Sequence, residues 1–299
     1  MNRLLNLPNL LFILTVTSIF VPGKRETVSP YAFLAVVIIL WIAFQIKLNN
    51  ETHRDATKDV ANVIFFILLI WELTVTKLNF ANQVLVPSPE EVFMVFISTR
   101  KLMWKGFLSS MSLLFAGFFL ALSLGISGGL IVGWNPRLRK VVFPVSKAIS
   151  TVPALVYTPY VVAIMPTFTA ASIFVVFSGI FWSTFMNQIN YVGSIDKRII
   201  DSARALNVKT VPMLFKVILP FTLPRNIDLL AVSLSISFMT LTAAEMIGAN
   251  SGMGYFVRKF CDYADYPKVI AGIIFIGLVV TFLNIVIDKI KKSLVKWHY

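Results

Sequence analysis

Eight mostly apolar runs divide this chain, and they limit its fold more than any other feature. They cover residues 5–21, 31–46, 60–75, 107–133, 142–165, 169–192, 223–247 and 269–287. A helix needs about 20 such residues to cross a bilayer. The first two runs are short for a full span; the fourth is rich in Gly and Ser, and the fifth is broken by Pro144, Pro153 and Pro159. The expected fold class is an all-α integral membrane protein of about eight spans. Composition agrees: 57% of residues are apolar and 14% charged, against about 25% charged in ordinary soluble domains. That deficit excludes disorder and argues against a water-soluble enzyme.

The first run follows Arg3 and has the outline of a secretory signal. Pro8, and the lack of an Ala-x-Ala-like site before Lys24-Arg25, favour a retained helix instead. The formal charge is +13. In a soluble protein that excess would suggest nucleic acid; in a membrane protein, Lys and Arg concentrate in cytoplasmic loops. With the N-terminus inside, the inner segments carry Arg3, then Lys47, Arg54 and Lys58, then Arg137, Arg139 and Lys140. Lys197, Arg198, Arg204, Lys209, Lys216 and Arg225 follow, and finally Lys289, Lys291, Lys292 and Lys296. The outer segments hold fewer: Lys24, Arg25, Lys77, Arg100, Lys101, Lys105, Arg258, Lys259 and Lys268. Both termini are therefore expected in the cytoplasm, and no nucleic-acid partner is expected. The single cysteine, Cys261, excludes an intrachain disulfide. Two distant histidines, His53 and His298, give no support to a zinc site, so no metal is expected.

Proline within a span frees backbone groups that lipid cannot satisfy, so such breaks persist where the helix is buried in protein or lines a wet path. The fifth run combines its prolines with Ser146, Ser150, Thr151, Tyr157 and Thr158; the seventh carries Ser233, Ser235, Ser237, Thr240 and Thr242. Hydroxyls on membrane helices usually serve helix packing. Two such helices with breaks also suit a conduit, for which Ser150, Thr151, Tyr157, Tyr160, Ser237 and Thr240 are the candidates.

The long polar loop at 193–223 differs from everything around it. Ile199, Ile200, Ala203 and Leu206 recur at helical spacing, with Asp201, Ser202, Arg204 and Asn207 on the other sides. This predicts an amphipathic helix of about two turns ended by Asn207, which tolerates left-handed geometry. Thr210 is placed to cap a second helix, with Pro212 in its first turn. Leu214, Phe215, Val217 and Ile218 would form that helix's apolar face, and Pro220 and Pro224 would end or bend it. A short helix held off the membrane suits docking in a groove of another protein; the alternative is a helix lying on lipid headgroups.

This loop resembles the cytoplasmic coupling motif of ABC-importer permeases, whose pattern is Glu-Ala-Ala, three residues, Gly, about nine residues, then Ile-x-Leu-Pro. Asp201-Ser202-Ala203 stands at Glu-Ala-Ala, Arg204, Ala205 and Leu206 fill the spacer, Asn207 stands at the Gly, and Ile218-Leu219-Pro220 closes the motif. The departures are mild: the acid and the small residue remain, and Asn is the next-best left-handed residue. Three further segments are similar to the nitrate/sulfonate/taurine branch: Leu85-Val-Pro-Ser-Pro-Glu-Glu-Val92, Gly133-Trp-Asn-Pro-Arg-Leu-Arg139, and Ala244-Glu245-Met-Ile-Gly248 with Ser251-Gly-Met-Gly-Tyr255.

The resemblance implies a six-helix type I ABC importer permease core over residues 58–299, with two accessory transmembrane helices in residues 1–57. It implies a homodimer of this chain with two cytoplasmic ATP-binding subunits and an extracytoplasmic substrate-binding protein. The expected cargo is a small anionic or zwitterionic solute such as a sulfonate, nitrate, taurine, vitamin precursor or aromatic acid. No Gly-x-x-x-x-Gly-Lys-Ser/Thr fingerprint occurs, so this chain is expected to bind no cofactor, with ATP and Mg held by the partner subunits.

Two membrane carboxylates stand out. Glu245 is expected to hold the loop marked by Gly248, Gly252 and Gly254 by accepting backbone hydrogen bonds. Glu72, beside Trp71, is expected at headgroup level or in packing. An ion-driven secondary transporter would need paired membrane carboxylates and a repeat between halves; a membrane-embedded enzyme would need a His, Cys or Asp cluster. The sequence shows neither.

Overall fold

The structure is a computed structural model that describes residues 6–50 and 54–294. Arg3, His53, Lys296 and His298, used above, lie outside the described residues. Among the described residues the fold is helical, and the chain divides into two compact units, Met1–Trp104 with Val257–Ile274, and Lys105–Phe256 with Phe275–Tyr299.

In the first unit, α1 (Leu7–Phe20), α2 (Tyr31–Asn50) and α3 (Arg54–Trp71) enclose a core of Ile19, Phe33, Val37, Phe44, Ala61, Phe65 and Leu68. Phe12 stacks on Trp41 with ring centroids 5.0 Å apart. Asn9 is buried, yet its side-chain carbonyl accepts from Trp41 Nε1 at 3.1 Å and Gln45 Nε2 at 3.0 Å, which offsets the cost of placing an amide there. α3 continues through a π-helical turn, Glu72–Lys77. The amphipathic α4 (Pro89–Ser98) starts at a full capping box: Ser88 accepts from Glu91 N, and Glu91 accepts from Ser88 N, with Pro89 in the first turn. Phe93 of α4 stacks on Phe33 at 5.6 Å.

A polar lattice ties the α1–α2 connection to this region. The Arg25 guanidinium donates to Val86 O and Gln83 O, each at 2.8 Å, and pairs with Glu91 at 3.0 Å. Lys77 Nζ donates to Val21 O at 2.8 Å and lies 2.9 Å from Glu72, whose side chain is fully buried. Of the two settings expected for Glu72, headgroup level or packing, its burial fits packing. It has no well-aligned hydrogen bond, so its charge balance rests on Lys77. Glu90, also buried, accepts from Thr76 at 3.2 Å.

The second unit holds the rest of α5 (Arg100–Trp134), then α6 (Pro136–Ser150), α7 (Ala154–Ile164) and α8 (Phe168–Gly193). After these come α9 (Lys197–Ala205), α10 (Thr210–Pro212), the π-helical Met213–Ile218, α11 (Leu219–Asp228) and α12 (Leu230–Gly248). α13 (Met253–Asp262) and α14 (Tyr266–Leu294) follow, with their Val257–Ile274 stretch belonging to the first unit. The core joins α5, α8, α12 and α14 through Leu114, Phe118, Ile180, Leu234, Phe238 and Leu283. α5 meets α8 very closely: a Cβ on Gly117 would stand 2.7 Å from Val176, and one on Gly129 would stand 2.7 Å from the Gln188 side chain. Small residues permit this approach between membrane helices.

The fifth apolar run is not one straight span. α6 and α7 meet at 87° across a break at residues 151–153, where Pro153 lacks an N–H and sits extended at the start of α7. The seventh run is bent as well, by 59° between Thr210–Asp228 and Val232–Gly248. Among the described residues, five helices are long and apolar enough to cross a membrane, or seven if each bent pair forms one span; the 14-residue α1 is shorter. Thr210 is the first helical residue and caps nothing; Lys209 takes the cap position without a side-chain bond. Pro220 does not end its helix either. Leu219 N–H reaches back five residues to Leu214 O, and this shift of register accommodates the missing donor of Pro220.

Removing Lys77 leaves a buried, uncompensated carboxylate. Lys77→Met should cost about 3–5 kcal/mol, read as a marked fall in melting temperature of the detergent-solubilised protein. The double variant Glu72→Gln/Lys77→Met should recover most of that loss. Equal melting of wild type and Lys77→Met would show the pair contributes nothing.

Candidate functional site

The polar loop folds as its sequence requires. Asp196 caps α9, accepting from Arg198 N at 2.9 Å and pairing with the Arg198 guanidinium at 2.6 Å. The bonds from Arg198, first to its side chain and then to its backbone N–H, hold the Asp196 carboxyl below the usual carboxylate range. α9 ends in a Schellman turn: Val208 N donates to Ala203 O, Asn207 N donates to Arg204 O, and Asn207 takes φ 57°. Ala203, Ile199 and Ile200 pack against Leu130, Val192, Met213, Leu214 and Ile218. Arg204 lies over the Trp134 ring at 5.9 Å, joining α9 to the end of α5.

Leu206 departs from the expected face. It is 79% exposed, because the helix ends at Ala205 and the left-handed turn carries Leu206 outward. Phe215, expected on an apolar face, is 48% exposed. Asp201, Ser202, Arg204, Ala205, Leu206 and Asn207 together form an outward surface. Ile218 is buried, Leu219 half-buried and Pro220 exposed, so this part of the motif chiefly builds the support under α9.

That support has a polar anchor not anticipated from sequence. Gln188 Nε2 donates to Thr222 Oγ1 at 3.0 Å, and Asn226 Nδ2 donates to Gln188 Oε1 at 2.7 Å, all buried. The available signal was the group of amides Asn187, Gln188 and Asn190 near the end of an apolar run. Arg225 adds a bond to Ser194 Oγ at 3.0 Å and stacks over Tyr191 at 5.6 Å.

The six path candidates occupy different settings. Tyr157 OH donates to Ser178 Oγ at 2.9 Å, bringing in a residue the sequence did not single out. Ser150 and Thr151 bond carbonyls of their own helix, Lys147 O and Ala148 O. Tyr160 is 68% exposed. Ser237 and Thr240 are buried, donating to Ser233 O and Ile236 O.

Glu245 is the centre of a second knot. Its Oε1 accepts from Ser110 Oγ at 2.6 Å and its Oε2 from Gly254 N at 2.7 Å, while Ser110 Oγ accepts from Met253 N at 2.9 Å. The carboxylate thus joins α12, α5 and the turn that starts α13. Gly252 has φ 129°, and a Cβ there would stand 2.3 Å from the Glu245 carboxyl carbon. Ser110 was not identified from sequence, because it lies 135 positions from its partner.

A chain of broken and bent membrane helices, with a capped amphipathic helix presented from a polar loop, defines a membrane permease. Residues 117–297 match the binding-protein-dependent transport system inner membrane component family, and the chain belongs to it. It is a multi-pass inner-membrane protein and a permease of the ABC type. Among its relatives is the taurine transport system permease protein TauC of Escherichia coli (strain K12), 25% identical over 85% of this chain and 94% of that one. Another is the nitrate import permease protein NrtB of Leptolyngbya laminosa, 29% identical over 57% of this chain and 61% of that one. The formylaminopyrimidine transport permease protein ThiX of Halalkalibacterium halodurans is 24% identical over 79% and 94%. A chain of the MetNI methionine ABC transporter in an inward-facing form shares the fold, with TM-score 0.55 and 16% identity, over 66% of this chain and 97% of that one.

Gly252→Ala should be severely destabilising, since it combines a strained φ, costing about 1–3 kcal/mol, with a collision against the carboxylate. Ser110→Ala should be milder, at about 1–3 kcal/mol for one lost buried partner. Thermal melting of both variants checks the order.

Proposed function

We propose that this chain is the membrane-crossing subunit of an ATP-driven importer for a small anionic or zwitterionic solute of the sulfonate, taurine or nitrate type. It works as a homodimer with two cytoplasmic ATP-binding subunits, and an extracytoplasmic binding protein delivers the solute. Residues 58–299 form the six-span permease core, residues 1–57 add two accessory helices, and both termini lie in the cytoplasm.

The observation that carries this reading is the outward surface of α9. An apolar Leu206 stands clear of the chain next to Asp201 and Arg204, on a helix rigidly capped at both ends. A preorganised helix of this kind fits a groove on a partner at little ordering cost. ATP and Mg belong to that partner, since the sequence has no phosphate-cradling loop. Nucleotide binding there shifts the permease between inward- and outward-open states only through contacts that differ between them. α9 packs on the π-helical turn before α11, so a push on α9 reaches the bend between α11 and α12. The substrate class is supported by the relatives named above, and the hydroxyls of Ser150, Thr151, Tyr157, Tyr160, Ser237 and Thr240 are the groups assigned to the path.

Leu206→Glu tests docking without disturbing the core, because the side chain is exposed. Tagged protein purified from its native membranes should bring Mg-dependent ATPase activity with it. The variant should lose that activity about thirtyfold, as for a hot spot of about 2 kcal/mol, while its melting temperature stays unchanged. Undiminished ATPase in the variant would remove α9 as the docking element.

A further inference from the structure

The π-helical turn Glu72–Lys77, the start of α4 and the α1–α2 connection bring three carboxylates and two cations together within the first unit: Glu72, Glu90 and Glu91 with Arg25 and Lys77. Arg25 pairs with Glu91 at 3.0 Å, and Lys77 lies 2.9 Å from Glu72. Glu90 is left over. It accepts from the Thr76 hydroxyl at 3.2 Å, and among the described residues no cation pairs with it. Glu72 is 0% exposed and Glu90 1%, so water does not screen them. The charges that act on Glu72 are those of Lys77 and Glu90. Other charges are distant or exposed. α1 carries none, and the one on α2, Lys47, stands about 20 Å along the helix from Phe33, which meets α4. Arg54, Asp55, Lys58 and Asp59 lie at the opposite end of α3, and Lys24 and Glu26 of the connection are exposed.

A closed site with three carboxylates against two cations is one positive charge short. Like charges in a site that water does not reach repel strongly, and such a site relieves the repulsion by taking up a proton. Both Glu72 oxygens are also buried without a well-aligned donor, a costly state for a bare carboxylate. We propose that Glu72 and Glu90 hold one proton between them at neutral pH. The proton brings the group to neutrality and gives the pair the O–H donor that two carboxylates lack. The α1–α2 connection closes the site, through the bond from Lys77 Nζ to Val21 O and the close approach of Gly23 to Thr76 O. The bland account is a buried water or small ion beside Glu72, with both carboxylates ionised; it predicts no protonated carboxyl here. The proposal is independent of the solute and ATPase assignments, since none of these residues belongs to α9 or to the candidate path.

The test is difference infrared spectroscopy of the full chain in detergent at neutral pH. Subtracting the wild-type spectrum from that of Glu90→Gln should show the loss of one carboxyl's carbonyl stretch, a band that ionised carboxylates do not give and that shifts when D2O replaces H2O. The subtraction cancels every unchanged carboxyl, Glu245 included. Glu72→Gln should lose the same band, since either substitution leaves one carboxylate for Lys77 and removes the need for a shared proton; it also serves if Glu90→Gln fails to fold. Glu26→Gln, on the exposed part of the connection, should leave the band at full intensity. A carbonyl region unchanged in both Glu90→Gln and Glu72→Gln would overturn the proposal, as would an equal loss from Glu26→Gln. Loss from only one of the two buried variants would place the proton on that residue alone and overturn the shared site.

Discussion

Within lipid, every backbone N–H and C=O must find a partner in the protein, and this chain places prolines where that demand is hardest to meet. The structure answers in two ways. At Pro153 the helix stops, and the chain restarts at 87° with Val156 N returning to Pro153 O. At Pro220 the helix continues, because the preceding turn widens to i→i+5 spacing and absorbs the missing donor. The same widening closes α3, where Leu78 N reaches Leu73 O. A break at Pro153 and widened turns before Pro220 and at the end of α3 are thus two local ways of keeping the backbone satisfied.

A bent helix has fewer axial contacts to fix its direction, and side-chain bonds make up the difference. Below the bend in the seventh run, Gln188, Thr222 and Asn226 form a closed amide–hydroxyl cluster between α8 and α11. Beyond it, Glu245 bonds Ser110 and the backbone of Gly254. Both clusters are buried, where a satisfied polar group is rigid and an unsatisfied one costs about 1–3 kcal/mol. The segment between them is tied to α14 by Ser235 Oγ and the Asn284 side chain at 3.2 Å, while Ser237 and Thr240 donate to carbonyls of their own helix.

What could be read from the sequence was whatever depends on neighbours within a turn or two. α8 runs over 168–193 against an expected 169–192, and the short helix before Asn207 and its left-handed end were both visible in side-chain periodicity and residue type. What could not be read depends on distant contacts. The bond from Ser110 to Glu245, the fit of Gly117 against Val176 and the burial of Glu72 beside Lys77 leave no periodic trace. Leu206 shows how local reasoning fails at an edge: its spacing from Ala203 puts it on the packed face only while the helix lasts, and the helix ends one residue earlier.

The first two helices illustrate the difference between a segment added to a fold and one built into it. α3 begins at Arg54 and packs along α1 and α2 through Phe65 and Ala61, so one helix carries the core of the first two into the segment that follows. The α1–α2 connection then covers the π-helical end of α3: a Cβ on Gly23 would stand 2.5 Å from Thr76 O, Lys77 Nζ bonds Val21 O, and Arg25 bonds Gln83 O and Val86 O. These contacts shield the Glu72–Lys77 pair and the buried Glu90 from water and lipid alike. A buried charge pair is stable only inside a complete shell, and here residues 21–25 supply part of that shell. The first two helices are therefore structural partners of the segment that follows them, whatever further role they carry.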